Sequence, residues 1–64
     1  MYEIFEAKPV DGLGHECGYF TAHSLAGLKS KCRAFLRKYK EELDVRYIKL
    51  YNSRGYTFLE EYHV

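Results

Sequence analysis

Positive charge is concentrated in one stretch of the chain, residues 29–40, with the sequence KSKCRAFLRKYK. Its six cations are Lys29, Lys31, Arg33, Arg37, Lys38 and Lys40. The stretch holds no acid, whereas the rest of the chain contains four cations and all nine acids, and the total formal charge is +1. Ammonium and guanidinium groups bind carboxylates and phosphates through charge-assisted hydrogen bonds. The chemistry indicated is therefore recognition of an anion.

The same stretch lies within an apolar stripe that has helical spacing. The members of the stripe are three or four residues apart: Leu25, Leu28, Cys32, Phe35, Leu36, Tyr39 and Leu43. This period predicts an amphipathic helix from Leu25 to Leu43, and Ser24 is suited to cap its first turn. At about 100° per residue, one flank of the stripe carries Lys29, Arg33, Arg37 and Lys40, and the other carries Lys31 and Lys38.

Strand-like alternation precedes and follows the helix. We expect strands over residues 2–8, 15–22, 45–52 and 56–64, with a turn around Pro9, Asp11-Gly12 and Gly14. Gly18 is expected to weaken the second strand or to mark a bulge. The order β-β-α-β-β predicts an α+β fold, in which an antiparallel four-stranded sheet carries the amphipathic helix on one face.

The alternation also assigns side chains of the last two strands to the two faces of the sheet. Ile48, Leu50 and Leu59 are expected to meet the helix. The opposite face would then carry an aromatic surface, next to Glu60, formed by Tyr47, Tyr51, Tyr56, Phe58 and Tyr62. Tyrosine offers apolar area, a polar tip and few rotatable bonds, so this surface is suited to contact with a partner.

Residue types that ligate metals or attack substrates are present, but their spacing matches no standard site. His15, Cys17, His23, Cys32 and His63 follow no zinc pattern. A nucleophile formed by Cys17 with His15 or His63 would lack an orienting third group and an oxyanion site. The GLG of the first turn opens no helix that would hold a phosphate. We expect no enzyme, no metal and no cofactor, and we interpret both cysteines as small buried apolar residues.

Length and composition set further limits. Sixty-four residues predict a single domain covering residues 1–64. A chain of this size has little room for a catalytic cleft with a rigid supporting shell. No apolar run approaches the roughly 20 residues of a membrane span, and no signal-peptide pattern is visible. We therefore expect a cytoplasmic protein with reduced cysteines and no membrane partner.

Three kinds of partner fit these features. A host protein or protein complex with an acidic surface suits Arg and Tyr, which anchor protein interfaces. A nucleic acid suits cations combined with stackable rings, although the near-neutral charge and the expected separation of cations and rings by the sheet count against it. A homodimer sealed by the aromatic surface is the third interpretation. The residues expected to contact a partner are Lys29, Arg33, Arg37, Lys40, Tyr47, Tyr51 and Tyr62.

The order of elements and the segment TAHSLAGLKSK at the start of the helix resemble small phage-encoded inhibitors of host machinery. Some anti-CRISPR proteins are similar, being short chains with one sheet, one helix and an A-x-S-L junction, here Ala22, His23, Ser24 and Leu25. Small phage inhibitors of bacterial RNA polymerase are similar in outline. The resemblance implies a phage or mobile-element protein that acts in the cytoplasm of a bacterial host cell. It would occupy a site on its target without catalysis.

Overall fold

Five segments of regular structure follow one another in the predicted order. The computed structural model describes residues 3–52 and 57–63. The elements are β1 (Phe5–Asp11), β2 (Phe20–Ala22), α1 (Leu25–Tyr39), β3 (Val45–Asn52) and β4 (Thr57–His63). The strands form one antiparallel sheet in the order β2-β1-β3-β4, with α1 on one face. The predicted fold class, a single α+β domain of the order β-β-α-β-β, is confirmed.

Strand β1 differs from the prediction because it includes Pro9. The sequence predicts a turn at Pro9, whereas β1 continues to Asp11 and pairs Pro9 with Ile48 of β3. On the side away from β3, the Pro9 carbonyl oxygen accepts a hydrogen bond from the Cys17 amide at 2.9 Å. The N and O atoms of one residue in an antiparallel strand point to the same side. The missing Pro9 N–H therefore removes no hydrogen bond to β3.

Strand β2 is shorter than predicted. Within residues 15–22 only Phe20–Ala22 form a strand, and Glu16 makes an isolated bridge to Val10. The Gly18 that was expected to weaken the strand lies before it, where the chain passes close to the helix. A Cβ atom at Gly18 would lie 3.1 Å from Phe35 Cζ, so the absence of a side chain allows this loop to pack against the phenyl ring.

The helix begins where the sequence predicts and ends four residues earlier. The Ser24 hydroxyl accepts a hydrogen bond from the Gly27 amide at 3.0 Å, which satisfies one amide of the first turn. The last helical residue is Tyr39 rather than Leu43, and the chain then turns through Asp44, whose φ of 54° lies in the left-handed region. Leu43 packs against the core from this turn. Its apolar character therefore extended the helical pattern beyond the helix itself.

The core lies between α1 and the middle of the sheet. Its buried apolar residues are Ala7, Leu28, Cys32, Val45, Ile48 and Leu50. Ile48 and Leu50 meet the helix, as predicted. Leu59 does not, because it lies at the edge of the sheet and is 38% exposed. Among residues 3–52 and 57–63, no helix is long and apolar enough to cross a lipid bilayer.

A β-bulge in β4 explains the position of Leu59. Leu50 lies opposite Glu60 and Tyr51 lies opposite Phe58, so β4 has one extra residue, Leu59, between these two pairs. Because of the extra residue, every side chain after Leu59 lies on the face opposite to the one that strict alternation predicts. Glu60 and the following Tyr62, which lies opposite Ile48, consequently share the helix side of the sheet with Leu50 and Ile48.

Candidate partner-binding groove

A groove runs between the helix and the outermost strand. The helix makes its main contacts with β1, β2 and β3, and β4 lies beyond it at the edge of the sheet. The space left between α1 and β4 is a shallow depression, largely open to solvent, with a volume of about 370 Å³. It is lined by Arg33, Leu36, Arg37, Lys40, Tyr62 and His63. We call this the basic groove.

The helix supplies the cationic wall of the basic groove. Arg33 and Arg37 are four residues apart and therefore lie one above the other on the same helix face. Lys40 follows as the residue that caps the C-terminal end of α1. Cations are favoured there because the helix dipole places partial negative charge at its C-terminus. Leu36, between these side chains, packs against the core and forms apolar lining.

Strand β4 supplies the opposite wall. The sequence places Tyr62 on an aromatic face away from the helix, and this prediction is wrong because the bulge at Leu59 turns Tyr62 towards the helix. Tyr62 packs against the core and is half-buried. The groove therefore combines a tyrosine ring with cations that the sequence assigns to the other side of the sheet.

The charge of the groove is not compensated by the described part of the protein. Arg33, Arg37 and Lys40 are exposed, and within residues 3–52 and 57–63 no carboxylate lies within 4.0 Å of their charged nitrogens. Lys29, one helical turn before Arg33, is different because its Nζ lies 2.9 Å from Glu60 Oε1. Glu60 was expected on the aromatic face, and this expectation is also wrong. Of the predicted basic contacts, Lys29 is thus already paired.

The other flank of the helix faces the opposite edge of the sheet. Lys31 Nζ donates a hydrogen bond to the Thr21 carbonyl oxygen at 2.6 Å, and Thr21 belongs to β2. Lys38 Nζ lies 5.2 Å from the centre of the Tyr39 ring. The division of the cations into two flanks therefore follows the helical projection, and only one flank borders the basic groove.

The remaining predicted contact residues, Tyr47 and Tyr51, lie on the outer face of the sheet, away from the helix. The Tyr51 and Phe58 rings meet edge to face with centres 5.6 Å apart, and Lys8 Nζ lies 4.6 Å from the Tyr51 ring centre. Tyr56, expected on the same face, lies outside the described residues. The structure therefore separates the predicted contacts into a groove group and an outer-face group.

Next to these rings the sheet buries a carboxylate that sequence patterning did not identify. Glu6 is 5% exposed, and one carboxylate oxygen accepts a hydrogen bond from the Tyr19 hydroxyl. The other oxygen, Oε2, has no partner among the described residues. The hydrogen bond that the Tyr19 hydroxyl donates to Glu6 raises the pKa of Tyr19, because ionisation of the phenol would remove the donor. Strand alternation gives the face of Glu6 but carries no signal for its burial.

The cysteines are not arranged as nucleophiles. Burial raises the pKa of the Cys32 thiol to about 11, and burial together with the charge of Asp11 raises the pKa of Cys17. Both thiols are therefore protonated near neutral pH, and the thiolate is the reactive form. Within the described residues, no group of three His, Cys, Asp or Glu side chains lies close enough to hold a metal ion.

The comparisons with known proteins add no constraint on the role of the groove. Neither a family model, nor a curated protein, nor a solved structure matches this chain. The resemblance to phage-encoded inhibitors consequently stays a prediction from the order of elements and the helix junction.

Proposed function

We propose that this protein is a non-enzymatic binding protein that docks its basic groove on an acidic surface of a host protein complex and blocks that surface. This is the mode of action implied by the resemblance to anti-CRISPR and other small phage inhibitors. The observation that carries the proposal is the convergence of Arg33, Arg37 and Lys40, all without a carboxylate partner in the described residues, beside Tyr62.

The composition of the groove favours a protein partner. Arg and Tyr are the residues that most often anchor protein interfaces, particularly where apolar area surrounds them. Here Leu36 and Tyr62 provide apolar lining, and the guanidinium groups at the rim offer paired N–H donors that match carboxylates. The groove cations would donate hydrogen bonds to carboxylates of the partner, and no described acid of this chain accepts such bonds from them.

The dimensions of the chain fit the same proposal. A standard interface buries about 800 Å² on each partner, and the accessible surface of this chain is 4464 Å². Contact of that size would occupy close to a fifth of the surface. The groove walls on α1 and β4 would form its centre, and their exposed surroundings would form the rim.

Nucleic acid is the second candidate, and one observation favours it. Tyr62 lies on the same side of the sheet as the groove cations, so a base could stack on the ring while its phosphates bind Arg33 or Arg37. The low total charge and the acids Glu41 and Glu42 directly after Lys40 weaken electrostatic attraction to a polyanion. We therefore place the protein partner first.

Capture from bacterial lysate with groove variants tests the proposal. The groove variant carries Arg33→Glu and Arg37→Glu. The control carries Lys31→Glu and Lys38→Glu, which change the charge of the same helix equally but on the other flank. We expect capture of a defined partner that persists after nuclease treatment. The affinity for this partner should fall at least about a hundredfold in the groove variant and change about threefold or less in the control.

Other outcomes would contradict the proposal in distinguishable ways. Equal losses in both variants would indicate attraction to the net charge of the helix rather than docking in the groove. Capture that disappears after nuclease treatment would support nucleic acid, with affinity falling by about one log unit per log unit of salt for each phosphate bound. Unchanged capture by both variants would contradict docking in the groove and would indicate that the partner binds the outer face. Circular dichroism of each variant establishes that the helix is retained.

A further inference from the structure

Strand β4 leaves an unpaired backbone edge beside the basic groove. It is the outermost strand, and one of its edges pairs with β3. No segment among residues 3–52 and 57–63 pairs with its other edge. The opposite border of the sheet is β2, with only three residues, whereas β4 has seven. The described sheet therefore offers one long edge for strand pairing.

This edge carries some of the features that protect sheet edges from pairing, namely the charged side chains of Glu60 and Glu61 and the bulge at Leu59, and it lacks others. Proline, lysine and very short length are the common devices, and TFLEEYH contains no proline and no lysine. The bulge at Leu59 does interrupt the edge. It leaves the regular stretch Glu60–His63, and the last two residues of this stretch line the basic groove.

The charges beside the edge indicate which kind of strand would fit. A strand added to β4 would lie about 4.8 Å further out, with alternate side chains on the helix side of the sheet. These side chains would approach Arg33, Arg37 and Lys40, the cations without a described partner. Carboxylates at alternate positions would pair with these cations, whereas Glu60, which also lies on the helix side, is already paired with Lys29. The intervening side chains would lie on the outer face, where Glu61 disfavours further acids.

A second copy of this chain fits the edge less well. If two β4 edges paired with both helices on one side of a continuous sheet, their basic flanks would face each other across the junction. With the helices on opposite sides, Glu61 of each copy would lie on the groove side of the other copy, but this single carboxylate would face three cations. Charge complementarity therefore selects a partner segment with acids at alternate positions.

We propose that the partner contributes an extended segment, with carboxylates at alternate residues, that pairs with Glu60–His63 as an added strand and places its acids in the basic groove. The inference rests on the proposed function and specifies how the partner binds. Backbone hydrogen bonds to β4 would supply affinity, and the alternate carboxylates would supply specificity.

An acetylated and amidated peptide of four Glu-Val repeats tests the inference on the full chain. Two isomers carry backbone N-methyl groups either on all Glu residues or on all Val residues. In an added strand, amides of only one residue type point towards β4. Anisotropy titration should show binding of the parent peptide, a loss of at least about thirtyfold for one isomer and about threefold or less for the other. Amide exchange should slow in the complex at those residues of Glu60–His63 whose N–H groups point away from β3.

Each alternative outcome overturns strand addition. Equal affinities of the two isomers would contradict strand addition, because an added strand uses only one of its two amide sets to pair with β4. Absence of binding by the parent peptide at about 1 mM would also contradict strand addition. This concentration corresponds to a binding free energy near −4 kcal/mol. A dimer of the chain that the peptide fails to dissociate would assign the edge to a second copy. If the lysate partner still depends on Arg33 and Arg37 in these cases, groove docking stands and only strand addition falls.

Discussion

Lys29 Nζ and Glu60 Oε1 lie 2.9 Å apart, so an ion pair connects the helix to the edge strand. The two side chains are 37% and 44% exposed, and exposed pairs contribute about 0–1 kcal/mol. The pair lies at one end of the space between α1 and β4, and the two charges neutralise each other there. The uncompensated charge of the groove therefore begins one helical turn later, at Arg33.

Removing the Glu60 charge should weaken the attachment of β4 to the helix by a small amount. We expect Glu60→Gln to reduce the free energy of unfolding by about 0.5–1 kcal/mol in low salt, and by less in high salt because ions screen exposed charges. Glu61→Gln is the matched control, since it removes the same charge from the neighbouring residue on the outer face. Urea denaturation measures both. Equal effects of the two changes would contradict a specific contribution of the ion pair.

The Tyr19 hydroxyl should stabilise the buried Glu6 carboxylate. Tyr19→Phe leaves both oxygens of Glu6 without a described partner, and a buried acceptor without a partner costs about 1–3 kcal/mol. We expect a loss of stability in that range by thermal or urea unfolding. Tyr47→Phe serves as control, because it removes a hydroxyl from the same face away from Glu6. The role assigned to Tyr19 is excluded if the two variants unfold alike.

The Ser24 cap should be required for a stable first helical turn. Its hydroxyl accepts the Gly27 amide hydrogen, and replacement of such a cap by Ala typically costs about 1 kcal/mol. Ser24→Ala should therefore lower the unfolding free energy by that amount. Ser30→Ala, at an exposed position in mid-helix, should be neutral or stabilising by a few tenths of a kcal/mol, about the difference in helix propensity. Similar losses at both serines would argue against capping.

Burial of Cys32 should make stability depend on pH in the alkaline range. The folded thiol has its pKa raised from 9.0 to about 11 by burial, so the unfolded chain ionises first as pH rises. The contribution of the protonated thiol is complete below pH 9 and is lost as pH increases from 9 to 11. We expect the stability difference between the wild type and Cys32→Ala to narrow across this interval, as measured by urea unfolding at pH 8 and 10.5. A constant difference would contradict the assignment.

The helix and the core follow closely from residue patterning, whereas the ends of the elements do not. Ser24 and the apolar stripe predict the start and the buried face of α1, since capping and helical period are local properties. The helix ends at Tyr39 and is followed by a turn in which Leu43 packs against the core and Asp44 is left-handed, and neither feature has a local sequence signal. The sequence predicts a turn at Pro9 because proline fixes φ and lacks a backbone N–H. Strand β1 can nevertheless contain Pro9, since this position needs no N–H bond to β3, and that depends on the pairing of the whole sheet.

The groove could be predicted only in part. Helical projection identifies Arg33, Arg37 and Lys40 as one flank, because their relative positions depend on a fixed helical period. The position of Tyr62 depends on the bulge opposite Leu50 and Tyr51, and the alternating residues of β4 give no local signal for an extra residue at Leu59. Leu36 appears in the sequence as a core residue, and its second role in lining the groove becomes visible only with β4 in place.

The bulge at Leu59 has a consequence for how this chain tolerates insertions and deletions. Phe58 already lies opposite Tyr51 and Glu60 opposite Leu50, so deletion of Leu59 would leave every neighbour with its present partner and its present face. The two halves of β4 are thereby independent in register. Deletion of Leu59 itself would therefore leave Tyr62 in the groove. The part of β4 before Leu59 and the part that lines the groove can therefore change independently of each other.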